Sequence, residues 1–152
     1  MTSDIEPKPE ICNCSALRQA ARHVTRFYDA FLSPAGLRAT QFSILAKLRQ
    51  RGPLTITSLA AEMVMDRTTL GRNIRPLQRR GLIAVASSRC DHRSKELRLT
   101  EIGLERLQAA GAPWREAQQR FDALFGVERA SALRKLLHIV SVTDLASAEA
   151  AE

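Results

Sequence analysis

Asp66-Arg67-Thr68-Thr69-Leu70-Gly71-Arg72-Asn73-Ile74-Arg75-Pro76-Leu77-Gln78-Arg79-Arg80-Gly81 runs directly into Leu82-Ile83-Ala84-Val85-Ala86, a polar turn, and Glu96-Leu97-Arg98-Leu99. At the helical angle per residue, Leu70, Ile74 and Leu77 share one side, while Thr68, Arg72, Arg75 and Arg79 fall on the opposite one. Asp66 has the chemistry of an N-cap and Gly81 that of a C-terminal stop. Pro76 removes one backbone hydrogen bond and should cost stability or bend the helix, yet the apolar period continues through it. The two following runs alternate as strands. The turn between them, Ser87-Ser88-Arg89-Cys90-Asp91-His92-Arg93-Ser94, is too long and charged for a minimal hairpin, so it reads as a projecting wing.

Between Asp66 and Lys95 there are eight Arg/Lys against two acids, so thirty residues hold +6 of the chain's net charge of +7. A basic helix face followed by a wing with Arg near its tip is what a duplex-DNA reader requires. The guanidinium groups offset phosphate charge and release counterions, and helix and wing can enter different grooves. Five Phe, one Tyr and one Trp are too few for a base-stacking platform, which points away from single-stranded nucleic acid. At 152 residues and 45% hydrophobic content the chain fits one compact domain with its own core.

Outward from that stretch the pattern is helical. Leu17, Ala21, Val24, Tyr28 and Phe31 recur at three- and four-residue steps, with Ala20 and Phe27 widening the stripe, and Ser33-Pro34-Ala35-Gly36 ends the run. A second helix is expected from an N-cap at Thr40, carrying Phe42, Leu45 and Leu48 inward until Gly52-Pro53. A third covers about Thr57 to Met63. After the wing, Leu99-Thr100-Glu101-Ile102-Gly103 opens a long helix holding Leu104, Leu107, Trp114, Phe121 and Leu124. Beyond Gly126 a last helix presents Leu133, Leu136, Leu137 and Val140. The expected fold is mainly α with a small β-hairpin wing.

The segment 1–10 is polar, with Pro7 and Pro9, and reads as a flexible N-terminal segment. It lacks the basic start and apolar stretch of a secretory signal. No apolar run approaches the length of a membrane span, so the expected location is the cytoplasm and no membrane partner is expected. Three Cys, at 12, 14 and 90, is an odd count that argues against a disulfide framework and leaves regulatory thiol chemistry. Nothing in the sequence asks for a bound cofactor.

Several stretches together resemble a MarR-family transcriptional regulator over roughly residues 12–145. They are Leu59-Ala60-Ala61-Glu62-Met63, Asp66-Arg67-Thr68-Thr69-Leu70, Leu77-Gln78-Arg79-Arg80-Gly81-Leu82-Ile83, Asp91-His92-Arg93, and Leu97-Arg98-Leu99-Thr100-Glu101-Ile102-Gly103. The resemblance implies a winged helix-turn-helix homodimer, usually a repressor of neighbouring genes, reading an inverted-repeat operator in double-stranded DNA. Residues 11–35 and 101–148 would then be dimerisation helices around a DNA-binding region at 36–100. Thr68, Thr69 and Arg72 would contact bases, because the start of a recognition helix sits deepest in the major groove. Arg75 and Arg79 would grip phosphate, with Arg67 and Arg80 flanking that face, and Arg93 would reach a minor groove, whose negative potential attracts a guanidinium. Asp66 and Asp91 resemble family acids that orient such an Arg through an ion pair. Arg18, Arg22 and Arg26 read as plain surface charge.

Cys14, ahead of Ala16-Leu17 and Ala20-Ala21-Arg22, resembles the oxidisable Cys of the family's organic-hydroperoxide-sensing (OhrR-like) branch. There a Tyr fourteen residues on, from the partner subunit, hydrogen-bonds the thiolate, and Tyr28 holds that position. Fourteen helical residues span about 21 Å, so the contact has to cross a dimer. The branch's other two tyrosines are Arg18 and Ala39 here. Arg18 could favour the thiolate by its charge and ease oxidation to a sulfenate. Two other readings stay open. Cys14 is an inert Cys buried on the helix stripe, and the inducer is a small aromatic or lipophilic molecule held by Phe27, Phe31, Phe42 and Trp114; or Cys12 and Cys14, with Cys90 or His23, bind a metal.

A thiol enzyme with Cys14 as nucleophile and His23 as base is the competing class. Nine residues of helix place the two about 13 Å apart, too far for an activating hydrogen bond, so no enzymatic activity is expected. A membrane-surface helix would need the apolar side of 66–80 to face lipid, whereas the cap and the wing make that side part of a core.

Overall fold

The structure is a computed structural model that describes residues 8–146. Among the described residues six α-helices and three strands follow in the order α1 (Asn13–Leu32), α2 (Ala39–Arg51), β1 (Leu54–Thr55), α3 (Ile56–Met63), α4 (Arg67–Arg79), β2 (Ile83–Ser87), β3 (Lys95–Leu99), α5 (Glu101–Phe125) and α6 (Val127–Val142). Most of the 1–10 segment lies outside the described residues; its end enters a short 3-10 turn, Pro9–Ile11.

Side chains spaced three and four apart on α2, α3 and α4 close a core of Ile44, Leu45, Leu48, Leu59, Leu70, Ile74 and Leu77. Leu32 and Leu37 join it from the α1–α2 turn, as do Leu82, Ile83 and Leu97 from the wing base and Ala110 from α5. Pro76 lies inside α4, whose helical hydrogen bonding continues past it to Arg79. The N-cap of α2 is Arg38 rather than Thr40, which is already helical. The reason is partly tertiary: Ala39 N–H donates to Asp29 Oδ1 on α1 at 2.7 Å, and Arg38 N–H donates to Gln41 Oε1 at 3.0 Å.

The strands form one antiparallel sheet in the order β1-β3-β2, with Leu54 and Val85 both opposite Leu97. β1 was not anticipated, because two residues are too few to show alternation. Leu82, expected to begin a strand, instead precedes β2 and is 1% exposed.

The wing base is locked to α5 at one joint. Thr100 N–H donates to Leu82 O at 3.2 Å, and its hydroxyl donates to Gly81 O at 2.6 Å while accepting from Gly103 N–H at 3.0 Å as the α5 cap. Gly103 has no alternative there, since a Cβ would stand 2.1 Å from Leu82 O. The Leu-Thr-Glu-x-Gly run seen in the sequence is therefore a backbone-contact motif.

The terminal helices differ. Along α6 only Ala130 is buried, and Leu136, Leu137, Ile139, Val140 and Val142 are exposed. Leu124, expected inside, is 74% exposed near the end of α5, and Leu17 is exposed on α1. Among the described residues, no helix is long and apolar enough to cross a membrane.

Candidate nucleic-acid interface and sensor region

α3 and α4 build a helix-turn-helix. Thr55 caps α3 through Ser58 N–H at 3.1 Å, and Val64 ends it in the left-handed region at φ 52° with its side chain in solvent. Asp66 then caps α4, Oδ1 accepting from Thr69 N–H at 2.8 Å and Oδ2 from the Thr69 hydroxyl at 2.6 Å. These bonds, that from the hydroxyl first, hold the Asp66 carboxyl below its usual range. Leu70, Ile74 and Leu77 are buried as expected, so Arg67, Thr68, Thr69, Arg72, Arg75 and Arg79 all lie exposed. An open groove of about 540 Å³ runs beside them, lined by Arg75, Gln78, Arg79 and Ile83.

The wing tip is a structured turn. Ser88, 4% exposed, donates its N–H to Ser94 O at 2.8 Å, and Ser94 N–H returns to Asp91 O at 3.0 Å. Arg93 is exposed. The anticipated ion pairs are absent. Among the described residues neither Asp66 nor Asp91 pairs with a cation. Asp91 Oδ1 instead accepts from Arg93 N–H at 3.0 Å, an Asx-type turn that positions the Arg93 backbone and leaves its guanidinium free of that carboxylate. An acid two residues before an Arg suggests both arrangements, and only the backbone decides between them.

A second cluster lies where α1, α2 and α5 meet. A cavity of about 210 Å³ is lined by Val24, Thr25, Tyr28, Leu32, Ala39, Phe42, Ser43 and Trp114. Phe42 stacks on Trp114 at 5.8 Å between centroids. Phe27 and Phe31 do not line it; they pack on each other at 5.1 Å, and Phe27 also meets the Phe121 edge. The Tyr28 hydroxyl donates to Gln118 Oε1 on α5. Burial, then the nearby Asp122 carboxylate, pushes the Tyr28 hydroxyl pKa upward. Gln118 and Asp122 escaped notice in the sequence, because polar residues on a long amphipathic helix carry no local signal.

Cys12 and Cys14 sit at the start of α1, both exposed and unpaired with other sulfurs. The Cys12 sulfur caps the helix, accepting from Ser15 N–H at 3.4 Å. Cys14 is therefore not buried on the stripe within this chain. It shares α1 with Tyr28, whose hydroxyl is already engaged on α5. Among the described residues, no group of three or more His, Cys, Asp or Glu is placed to hold a metal ion, so Cys12, Cys14, Cys90 and His23 do not converge.

A capped, outward-facing basic helix beside a three-stranded wing defines a winged helix-turn-helix protein. The MarR family model matches residues 37–95, the part of the chain from the α2 entry to the start of β3. The chain is similar to the transcriptional regulator MosR of M. tuberculosis, 35% identical over 88% of this chain and 99% of that one, with a TM-score of 0.71. MosR has also been solved in complex with DNA, at 36% identity, covering 85% and 98% of the two chains with a TM-score of 0.68. The repressor CouR of Rhodococcus jostii, bound to a 23-mer DNA duplex, is 26% identical over 90% of this chain and 99% of that one, with a TM-score of 0.77. The organic hydroperoxide resistance regulator of Bacillus subtilis is 28% identical over 90 residues, 59% of this chain and 61% of its own length. The chain belongs to the MarR family of transcriptional regulators.

Proposed function

We propose that the protein is a homodimeric, sequence-specific DNA-binding repressor that an effector releases from an inverted-repeat operator. The observation that carries this reading is the exposed face of α4, where Thr68, Arg72, Arg75 and Arg79 stand in solvent while every apolar partner on the helix is buried. Thr68, Thr69 and Arg72 read bases in the major groove, Arg67, Arg75 and Arg79 hold phosphates, and Arg93 enters the minor groove. Asp66 fixes the start of α4 and Asp91 sets the Arg93 backbone, so both acids position without touching DNA. The similarity to MosR and CouR, each solved on DNA, supports the same docking.

Residues 11–35 and 101–148, of which 147 and 148 lie outside the described residues, form the dimer interface and 36–100 the reading head. The support is the apolar surface that α1 and α6 leave uncovered, Leu17, Leu136, Leu137, Ile139 and Val140 among it. Two heads related by a two-fold axis read half-sites about one helical turn apart.

The effector acts through Cys14. Its thiolate attacks the terminal oxygen of an organic hydroperoxide, giving a sulfenate and the alcohol, with Cys12 beside it and Tyr28 contributed across the dimer. Exposure of both thiols at the start of α1 supports this, as does the similarity to the hydroperoxide regulator. The cavity lined by Tyr28, Phe42 and Trp114 favours a second reading, in which a small aromatic or lipophilic molecule is the inducer. Fluorescence anisotropy on operator DNA separates them. Release by hydroperoxide, reversal by a thiol reductant and loss of the response in Cys14→Ser support the redox switch. Indifference to oxidant with binding intact supports the ligand.

A further inference from the structure

Gly36, at φ 72° in the turn between α1 and α2, has two guanidinium groups closed over its bare backbone. A Cβ there would stand 3.1 Å from Arg106 Nη1 and 3.2 Å from Arg80 Nη2, so the two nitrogens lie within roughly 6 Å of each other, a range at which like charges repel. Arg106 is half-buried on α5 and held in place by donating Nη1 to Ala35 O at 3.2 Å, whereas Arg80 is exposed at the end of α4. Among the described residues, neither is ion-paired with a carboxylate. Two forked donors converging on one point without a counter-charge are what an oxyanion would neutralise, and phosphate oxygens accept from two such forks at once.

We propose that Arg80 and Arg106, over the floor of Gly36, form a seat for one phosphate group. Arg80 caps α4 directly after Arg79 and flanks the basic face of that helix, so the seat extends the reading head toward the α1–α2 turn, and its phosphate is a phosphodiester of the bound duplex. This rests on the DNA-binding reading above. The seat joins three elements, α4, α5 and the turn at Gly36, so that occupied DNA ties the reading head to the long helix behind it.

The test is a double-mutant cycle on a duplex selected from a random pool by the wild-type protein, with anisotropy read at several salt concentrations. Arg80→Gln and Arg106→Gln should each weaken binding about tenfold and flatten the salt slope by about one. The double variant should flatten it by no more, because both side chains hold the same phosphate. Arg22→Gln, on the exposed part of α1, controls for net charge. Singles that match Arg22→Gln, or a double that flattens the slope by about two, overturn the shared seat. Arg80 is exposed, so its variant carries the test if Arg106→Gln unfolds. Failure of the wild type to bind any duplex would break the DNA reading instead. The seat is then judged with inorganic phosphate: a melting temperature raised over chloride at equal ionic strength in the wild type, and not in the double variant, keeps it with free phosphate as its source, and equal melting in both removes it.

Discussion

The winged region and the terminal helices are built from similar amounts of Leu, Ile and Val, yet they end differently. From α2 to β3 the apolar face of each element finds a partner within the chain, and Ile44, Leu45, Leu59, Leu70 and Leu77 are sealed from water. In α6 the same residue types face outward, with Leu136 at 61% and Ile139 at 57% exposure. An isolated sixteen-residue helix with one buried alanine has little to hold it. The winged region closes its core within the chain, with Leu32 and Ala110 contributed by α1 and α5, whereas the apolar surface of α6 and of the first half of α1 is what the dimer proposed above would cover.

That contrast can be broken most severely at the joint. Gly103→Ala drives a methyl into Leu82 O and should cost more than about 3 kcal/mol, measured by urea unfolding, since backbone on both sides leaves no rotamer to absorb the clash. A cost under about 1 kcal/mol would mean that α5 is not clamped to the wing. Leu45→Ala should lose about 2–5 kcal/mol by opening a cavity in the sealed region. Leu136→Glu, by contrast, should leave that core intact while shifting sedimentation from dimer to monomer; unchanged sedimentation would place the interface elsewhere.

Smaller effects sharpen the picture of the reading head. Val64, β-branched and left-handed in the helix-turn-helix corner, is strained, so Val64→Asn should gain about 0.5–1 kcal/mol in the same unfolding assay. The smallest effect is the pH response of the α4 cap. Hydrogen bonds from Thr69 depress the Asp66 pKa, and those from Arg51, then Lys47, depress that of Glu62. A depressed carboxylate protonates first in the unfolded chain, so its stabilisation is present above the ordinary carboxylate range and is lost as pH falls through the folded value. The melting temperature of Asp66→Ala should therefore fall below the wild type at neutral pH and converge with it in acid. A constant gap across that range would mean that the charge of Asp66 contributes nothing.

The sequence made α4 legible because cap, apolar period and stop all agree within sixteen residues, and a reading there needs no long-range information. The wing was legible for the same reason. Thr40 was mistaken for the α2 cap because the Asp29 carboxylate, ten residues away, supplies the first bond. The sequence groups Phe27 and Phe31 with Phe42 and Trp114 in one pocket, yet the two pack on each other and Phe27 meets Phe121. Helical periodicity places all four on apolar faces without saying which neighbouring helix each face meets. The Arg80–Arg106 convergence was invisible because it depends on three segments meeting at a residue with no side chain.

Anisotropy of the reduced wild-type protein and of Arg72→Ala, each titrated onto the same selected duplex at two salt concentrations, tests the central claim most directly. Tight, salt-sensitive and sequence-selective binding by the wild type, weakened by about 1–3 kcal/mol in Arg72→Ala with selectivity relaxed at one base position, is the predicted result. Equal affinity and equal selectivity in the two proteins would contradict the assignment of α4 as the element that reads DNA.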